Sequence, residues 1–198
     1  MKRFTLLSTF IFLVLPELAF AHGVDGNGFY AGLSHPIGGL DHLLAMLSVG
    51  ILSTQMGGKY IWTIPSTFVS IMLLGGITGF EGIDIASVYI EHSIMLSVVL
   101  LGLVIATGNR LTTLFIYLFV AFFGFSHGYA HGVEMPIQAD PFYFAAGFVL
   151  STIAIHIVGV LIGFIYANGK RRGMLLLQYT GAIIMGMGLH MLLSHYMH

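Results

Sequence analysis

Apolar residues run through this chain in long blocks, and polar side chains are confined to the gaps between blocks and to a few histidines and carboxylates inside them. About six blocks approach the ~20 residues that a helix needs to cross the hydrocarbon core of a bilayer. They fall near 35–57, 60–79, 86–107, 111–132, 142–167 and 174–195. Inside lipid every backbone amide and carbonyl must be paired within the protein, and a helix does this unaided. The pattern therefore predicts an all-α, polytopic transmembrane bundle with short connections.

The block at the amino terminus reads differently. Lys2-Arg3, the apolar Phe4 to Leu15, Pro16 and the small-residue pattern Ala19-Phe20-Ala21 fit a signal peptide over 1–21, cleaved after Ala21. A single transmembrane domain over 22–198 would remain. The alternative is a retained first helix, and both readings leave Lys2-Arg3 in the cytoplasm and His22 outside.

Small residues mark where helices can approach closely. Gly124, Gly128 and Gly132 form a ridge on the fourth block, and Gly75 with Gly79 and Gly159 with Gly163 repeat the spacing. Pro65 is expected to kink the second span, with Ser66 or a neighbour satisfying the freed carbonyl. Gly32-Leu33-Ser34-His35 resembles Gly124-Phe125-Ser126-His127, but the copies lie at opposite ends of their spans. Two inverted halves of three helices would not place them so.

Composition sharpens the picture. Of 198 residues, 57% are hydrophobic and 8% charged, and the mean hydropathy is +0.95. The net charge of −1, with no basic run beyond Lys170-Arg171-Arg172, leaves no footprint for nucleic acid. With no cysteine, disulfides and thiolate metal sites are excluded, so any metal must be held by nitrogen, oxygen or methionine sulfur. Charges sort by side: Lys59, Arg110 and the Lys170 triplet fall in alternate loops, and Asp25, Glu81, Asp84, Glu134 and Asp140 at the opposite ends. The positive-inside rule then predicts both mature termini outside.

Ten histidines against seven Lys plus Arg carry the candidate chemistry. On a helix, His127, His131 and Glu134 stand at i, i+4 and i+7 and share one face, where two imidazoles and a carboxylate can close on one divalent ion. The first span opens with His35-Pro36-Ile37-Gly38-Gly39-Leu40-Asp41-His42, where Pro36 suits a first helical turn and His35 and His42 return to nearly one face. Asp41 is a ligand or the group that orients an imidazole. Glu91 and His92 point to different faces, so at most one is expected at the site. His156 is the deepest histidine, and His190 lies near the outer end of the last span. His22 would combine its imidazole with a free α-amine after cleavage. His22, Glu91, His92, His156 and His190 are thus secondary metal candidates, and His195 and His198 are read as tail residues. The competing interpretation is interhelical hydrogen bonding without metal for His127, His131 and Glu134, and a helix cap with an Asp–His bond for His35, Asp41 and His42.

The motifs His35-Pro36-x-x-Gly39-x-Asp41-His42 and His127-Gly128-x-Ala130-His131-Gly132-x-Glu134 together resemble the HupE/UreJ family of nickel and cobalt permeases, and the likeness extends over the whole mature chain. Ser126 departs from the phenylalanine expected before His127. The resemblance implies uptake of Ni²⁺ or Co²⁺ as transported substrate, for hydrogenase, urease or cobalamin, with His35, Asp41, His42, His127, His131 and Glu134 handling the ion. The implied partners are the ion, the lipid bilayer and cytoplasmic metal chaperones.

On this reading, histidines in the outer half replace the hydration shell of an ion and pass it inward, with binding weak enough for release. No nucleotide-binding loop is present, so ATP hydrolysis is not expected of this chain. Two other classes share the ligand chemistry. An intramembrane hydrolase would hold Zn²⁺ with Glu134 or Glu91 as base, and an accessory protein would bind metal without passing it. A serine protease lacks any Gly-x-Ser-x-Gly context. The residue types do not separate Ni²⁺, Co²⁺ and Zn²⁺.

Overall fold

The structure, a computed structural model, describes residues 28–108, 111–167 and 170–197. The signal-peptide segment, His22, Asp25, Arg110 and His198 lie outside these residues. Seven helices follow one another: α1 (Phe29–Gly38), α2 (Leu40–Met56), α3 (Tyr60–Phe80), α4 (Ser87–Ala106), α5 (Thr113–Val133), α6 (Pro141–Ala167) and α7 (Lys170–Met197). There is no strand among the described residues. Helices α3 to α7 are each long and apolar enough to cross a membrane, and α1 with α2 pass the same test together as a bent pair, which would count as a sixth crossing if it forms one broken span. The protein is a polytopic helical membrane bundle.

The first span differs from the single helix expected over 35–57. It is broken at Gly39, whose backbone is extended (φ −102°, ψ 120°), and the two pieces meet at 84°. Two consecutive glycines explain the break, since each costs a helix about 1 kcal/mol relative to alanine. Pro36 therefore lies near the end of α1, not in the first turn of a longer helix, and His35 and His42 belong to different helices. Asp41 falls in the first turn of α2, where a carboxylate complements the helix dipole.

Helix α2 is the centre of the bundle. From Ala45 through Thr54 nearly every residue is buried, and Met46, Val49 and Leu52 join Ile64, Phe68 and Met72 of α3 and Val98, Leu101 and Ile105 of α4 in one core. Around it, helices pair by backbone contact at glycines. A Cβ placed on Gly128 would stand 1.8 Å from the Met72 carbonyl oxygen, and one on Gly132 would stand 2.1 Å from that of Gly76. Gly75 and Gly79 return the contact against the carbonyls of Phe125 and Tyr129, so α3 and α5 are locked face to face. Gly32 with Gly147 joins α1 to α6, Gly50 with Gly159 joins α2 to α6, and Gly102 with Gly181 joins α4 to α7.

The Tyr129 hydroxyl donates to the Ile83 carbonyl (2.8 Å) and accepts from the Ile85 amide (2.9 Å), tying the α3–α4 connection to the end of α5. At the same end Asp140 caps α6 by accepting from the Phe142 and Tyr143 amides. Glu81, Asp84, Glu134 and Asp140 thus cluster at one end of the bundle, and Lys59 and Arg172 mark the other. Helix α3 continues through Pro65 without ending.

Candidate metal centre

The last two turns of α5 carry His127 and His131 on a buried face. Glu134 follows as the residue that caps the helix, its amide donating to the Ala130 carbonyl, and its side chain leaves the bundle surface half exposed. The elbow at Gly39 brings α1 and α2 against this end from the other side. There His35 Nε2 donates to Glu134 Oε2 at 3.1 Å. The donor atoms of His35, His131 and Glu134 all lie within 4.8 Å of one another, and no other group of three His, Asp or Glu donors among the described residues meets that limit. Glu134 is outside the helices, and its hydrogen bond with His35 holds its carboxyl below the usual carboxylate range, outweighing the opposing effect of burial.

Below this group the imidazoles form a file. The His131 ring centroid is 4.7 Å from that of His35 and 4.3 Å from that of His42, and His42 is 4.9 Å from His127. His131 is therefore in contact with the rings on either side of the elbow. Phe148 packs on His131 at 4.2 Å and Phe144 on His35 at 5.8 Å, so α6 supplies an aromatic wall. Phe68 of α3, fully buried, packs against both His127 (5.5 Å) and His156 (5.2 Å).

The hydrogen bonds fix which nitrogen is free. The Asp41 carboxylate accepts from His42 Nδ1 (2.8 Å) and the Phe123 carbonyl accepts from His127 Nδ1 (2.9 Å). Carboxylates and carbonyls only accept, so the proton of each ring is on Nδ1 and the lone pair is on Nε2. Both Nε2 atoms are buried and have no hydrogen-bond partner among the described residues, and the same holds for both nitrogens of His131 and of His156. Leaving such an atom unpaired costs roughly 1–3 kcal/mol. Four of these nitrogens, on His42, His127 and His131, belong to rings in contact and are a set of donors suited to a borderline divalent cation. An imidazole oriented by a carboxylate is the usual arrangement around such ions, and Asp41 occupies that orienting position.

The structure thus assembles His35, Asp41, His42, His127, His131 and Glu134 at one end of the bundle. It does not bring Glu91, His92 or His190 to them. His195, read from sequence as a tail residue, instead meets α4: its Nε2 is 4.0 Å from Glu91 Oε2 and its ring is 5.0 Å from that of His92. His190 is exposed. The glycine ridge of α5 faces α3, which contributes the Phe68 ring and no further metal donor; the other ligands come from α1 and α2. Phe68 and Phe148 carry no sequence signal, being apolar residues within apolar blocks. The Gly38-Gly39 doublet is the one local sign of the elbow.

A helical membrane bundle with a buried imidazole file beneath a surface carboxylate defines the class. Residues 10–191 match the family model described as HupE / UreJ protein, and the chain belongs to that family. It is 39% identical over 161 residues to Protein HupE of Rhizobium leguminosarum bv. viciae, covering 81% of this chain and 83% of that one. No solved structure matches it.

Proposed function

We propose that this protein is a permease of the bacterial inner membrane that takes up Ni²⁺ or Co²⁺ from the periplasm. The observation that carries this reading is the file itself: a half-exposed carboxylate, then imidazoles at contact distance, with nitrogens of His42, His127 and His131 that have no hydrogen-bond partner among the described residues. A purely structural network would pair such atoms within the protein, so their lack of protein partners supports a ligand.

The ion would first meet Glu134, His35 and His131. It would then pass to His42 and His127, with His131 as the ligand common to both stages. Exchange of one ligand at a time keeps the ion from being stripped of its whole shell at once, and an incomplete set of donors at each stage permits release. Asp41 holds the His42 tautomer that presents Nε2. The basic end of the bundle faces the cytoplasm on this reading, where metal chaperones would receive the ion.

Family membership supports a transport or accessory role over an enzymatic one, and the engagement of Glu134 by His35 leaves it poorly placed as the general base of a hydrolase. The deciding experiment is flux into proteoliposomes holding a divalent-metal indicator, comparing Ni²⁺, Co²⁺, Zn²⁺ and Mn²⁺. Saturable Ni²⁺ or Co²⁺ influx that is lost in His131→Ala supports the permease. Binding without flux overturns it in favour of a non-transporting accessory protein.

A further inference from the structure

The end of α7 carries a second set of metal donors that the imidazole file does not use. Gly188 of α7 lies against α4, where an added Cβ would stand 2.8 Å from the Val99 amide nitrogen. Seven residues, about two helical turns, separate Gly188 from His195 and Val99 from His92. Because α4 and α7 run antiparallel, His195 arrives opposite His92, and their ring centroids are 5.0 Å apart. Glu91 reaches the same place from the neighbouring position, with Oε2 4.0 Å from His195 Nε2. The Val88 carbonyl accepts from His92 Nδ1, which puts the lone pair of that ring on Nε2. Glu91 and His195 are exposed and His92 is half-buried, so an ion can enter from water.

We propose that Glu91, His92 and His195 form a peripheral site for a borderline divalent cation, Zn²⁺ or Ni²⁺, which pins the end of α7 to α4 and is filled independently of the file. Two imidazoles bound at about 2.1 Å in a tetrahedral shell have ring centroids roughly 5 Å apart, and two donor atoms on one such ion lie about 3.4 Å apart. The separation of His92 and His195 meets the first distance. The separation of Glu91 and His195 is too long for a hydrogen bond and within a small side-chain rotation of the second distance. The donors are thus gathered near the shell of an ion without being spent on one another, and the rotation of exposed side chains closes them. Water completes the coordination, as suits an open site. The location favours a cation twice over. Glu81, Asp84, Glu134 and Asp140 lie at the same end of the bundle and raise the local cation concentration. The last carbonyls of α7, beside His195, add partial negative charge.

Equilibrium dialysis of the full chain in detergent against saturating ZnCl₂ counts the ions bound. His92→Ala and His195→Ala should each lower the count by one per chain, and the double variant should lower it by one and not two, because both rings hold the same ion. His195→Gln, which keeps a polar side chain, should match His195→Ala. Glu91→Gln should weaken binding of that ion by at least about tenfold, the lower end of the cost of losing even an outer-shell partner. The same losses should appear when His131→Ala is already present, which separates this site from the file. A count unchanged in either single variant, a loss of two ions in the double variant, an affinity indifferent to Glu91→Gln, or losses that disappear in the His131→Ala background would each overturn the proposal.

Discussion

His42 and His127 come from different helices, yet each donates from Nδ1 to a fixed acceptor and has a buried Nε2 without a partner among the described residues, with ring centroids 4.9 Å apart. The backbone carbonyl of Phe123 sets one ring and a side chain sets the other. The two positions should therefore respond differently to mutation.

Asp41→Asn keeps the shape of the side chain but supplies an amide that can donate to Nδ1 of His42, which moves the ring proton to Nε2. Metal affinity should fall about 10–100-fold, as is usual when the group orienting an imidazole ligand is lost. Thermal stability in detergent should change little. Equilibrium Ni²⁺ binding alongside a melting curve tests both halves of this expectation.

Glu134→Gln retains a hydrogen-bonding side chain next to His35 while removing the surface charge. Its effect should appear as a higher half-saturation concentration for Ni²⁺ uptake, growing smaller as ionic strength rises, because screening weakens attraction of the ion by the carboxylate. Initial rates across a salt series would show it. An effect independent of salt would place Glu134 in the bundle's architecture and not in capture.

Acid should release the Glu134–His35 contact only at low pH. The Glu134 carboxyl is held below its usual range, chiefly by its hydrogen bond with His35. Its contribution to stability is present above the unfolded carboxylate value and is lost only as pH drops through the depressed folded one. Glu134→Gln should therefore remove this acid-dependent part of the stability profile, and detergent melting temperatures across a pH series, compared between the two proteins, would show it. An identical acid profile in both would contradict the assignment.

Gly128→Ala should be strongly destabilising, because its Cβ would strike the Met72 carbonyl oxygen at 1.8 Å and the Gly76 amide nitrogen at 2.9 Å. Overpacking of this kind costs about 1–3 kcal/mol, and here the obstructing atoms are backbone. Gly38→Ala is the control, since nothing lies within 4 Å of the added atom. Comparison of detergent melting temperatures for the two variants measures the difference.

The helical crossings were legible in the apolar blocks, because length and hydropathy alone decide whether a segment can span. The His127, His131 and Glu134 motif was legible as helical spacing, and His35, Asp41 and His42 as a second motif with like donors. Their convergence was not. It depends on the elbow at Gly39 and on which helices pair, and both are tertiary outcomes that a linear pattern does not encode. Reading the first span as one helix set His42 directly below His35, whereas the break lets both rings reach His131. The association of His195 with Glu91 and His92 was missed for a similar reason: a terminal histidine looks idle until its helix is seen to end beside α4.

The glycine contacts divide the donors between two blocks of backbone. Helices α3 and α5 form one block and carry Phe68, His127, His131 and Glu134; α1, α2 and α6 form the other and carry His35, Asp41, His42 and His156. The seam between the blocks is lined with side chains and the interior of each block with main chain. The two kinds of contact therefore answer to different substitutions: an added methyl at a glycine acts within one block, whereas a change at His42 or His131 acts on the seam where the blocks meet.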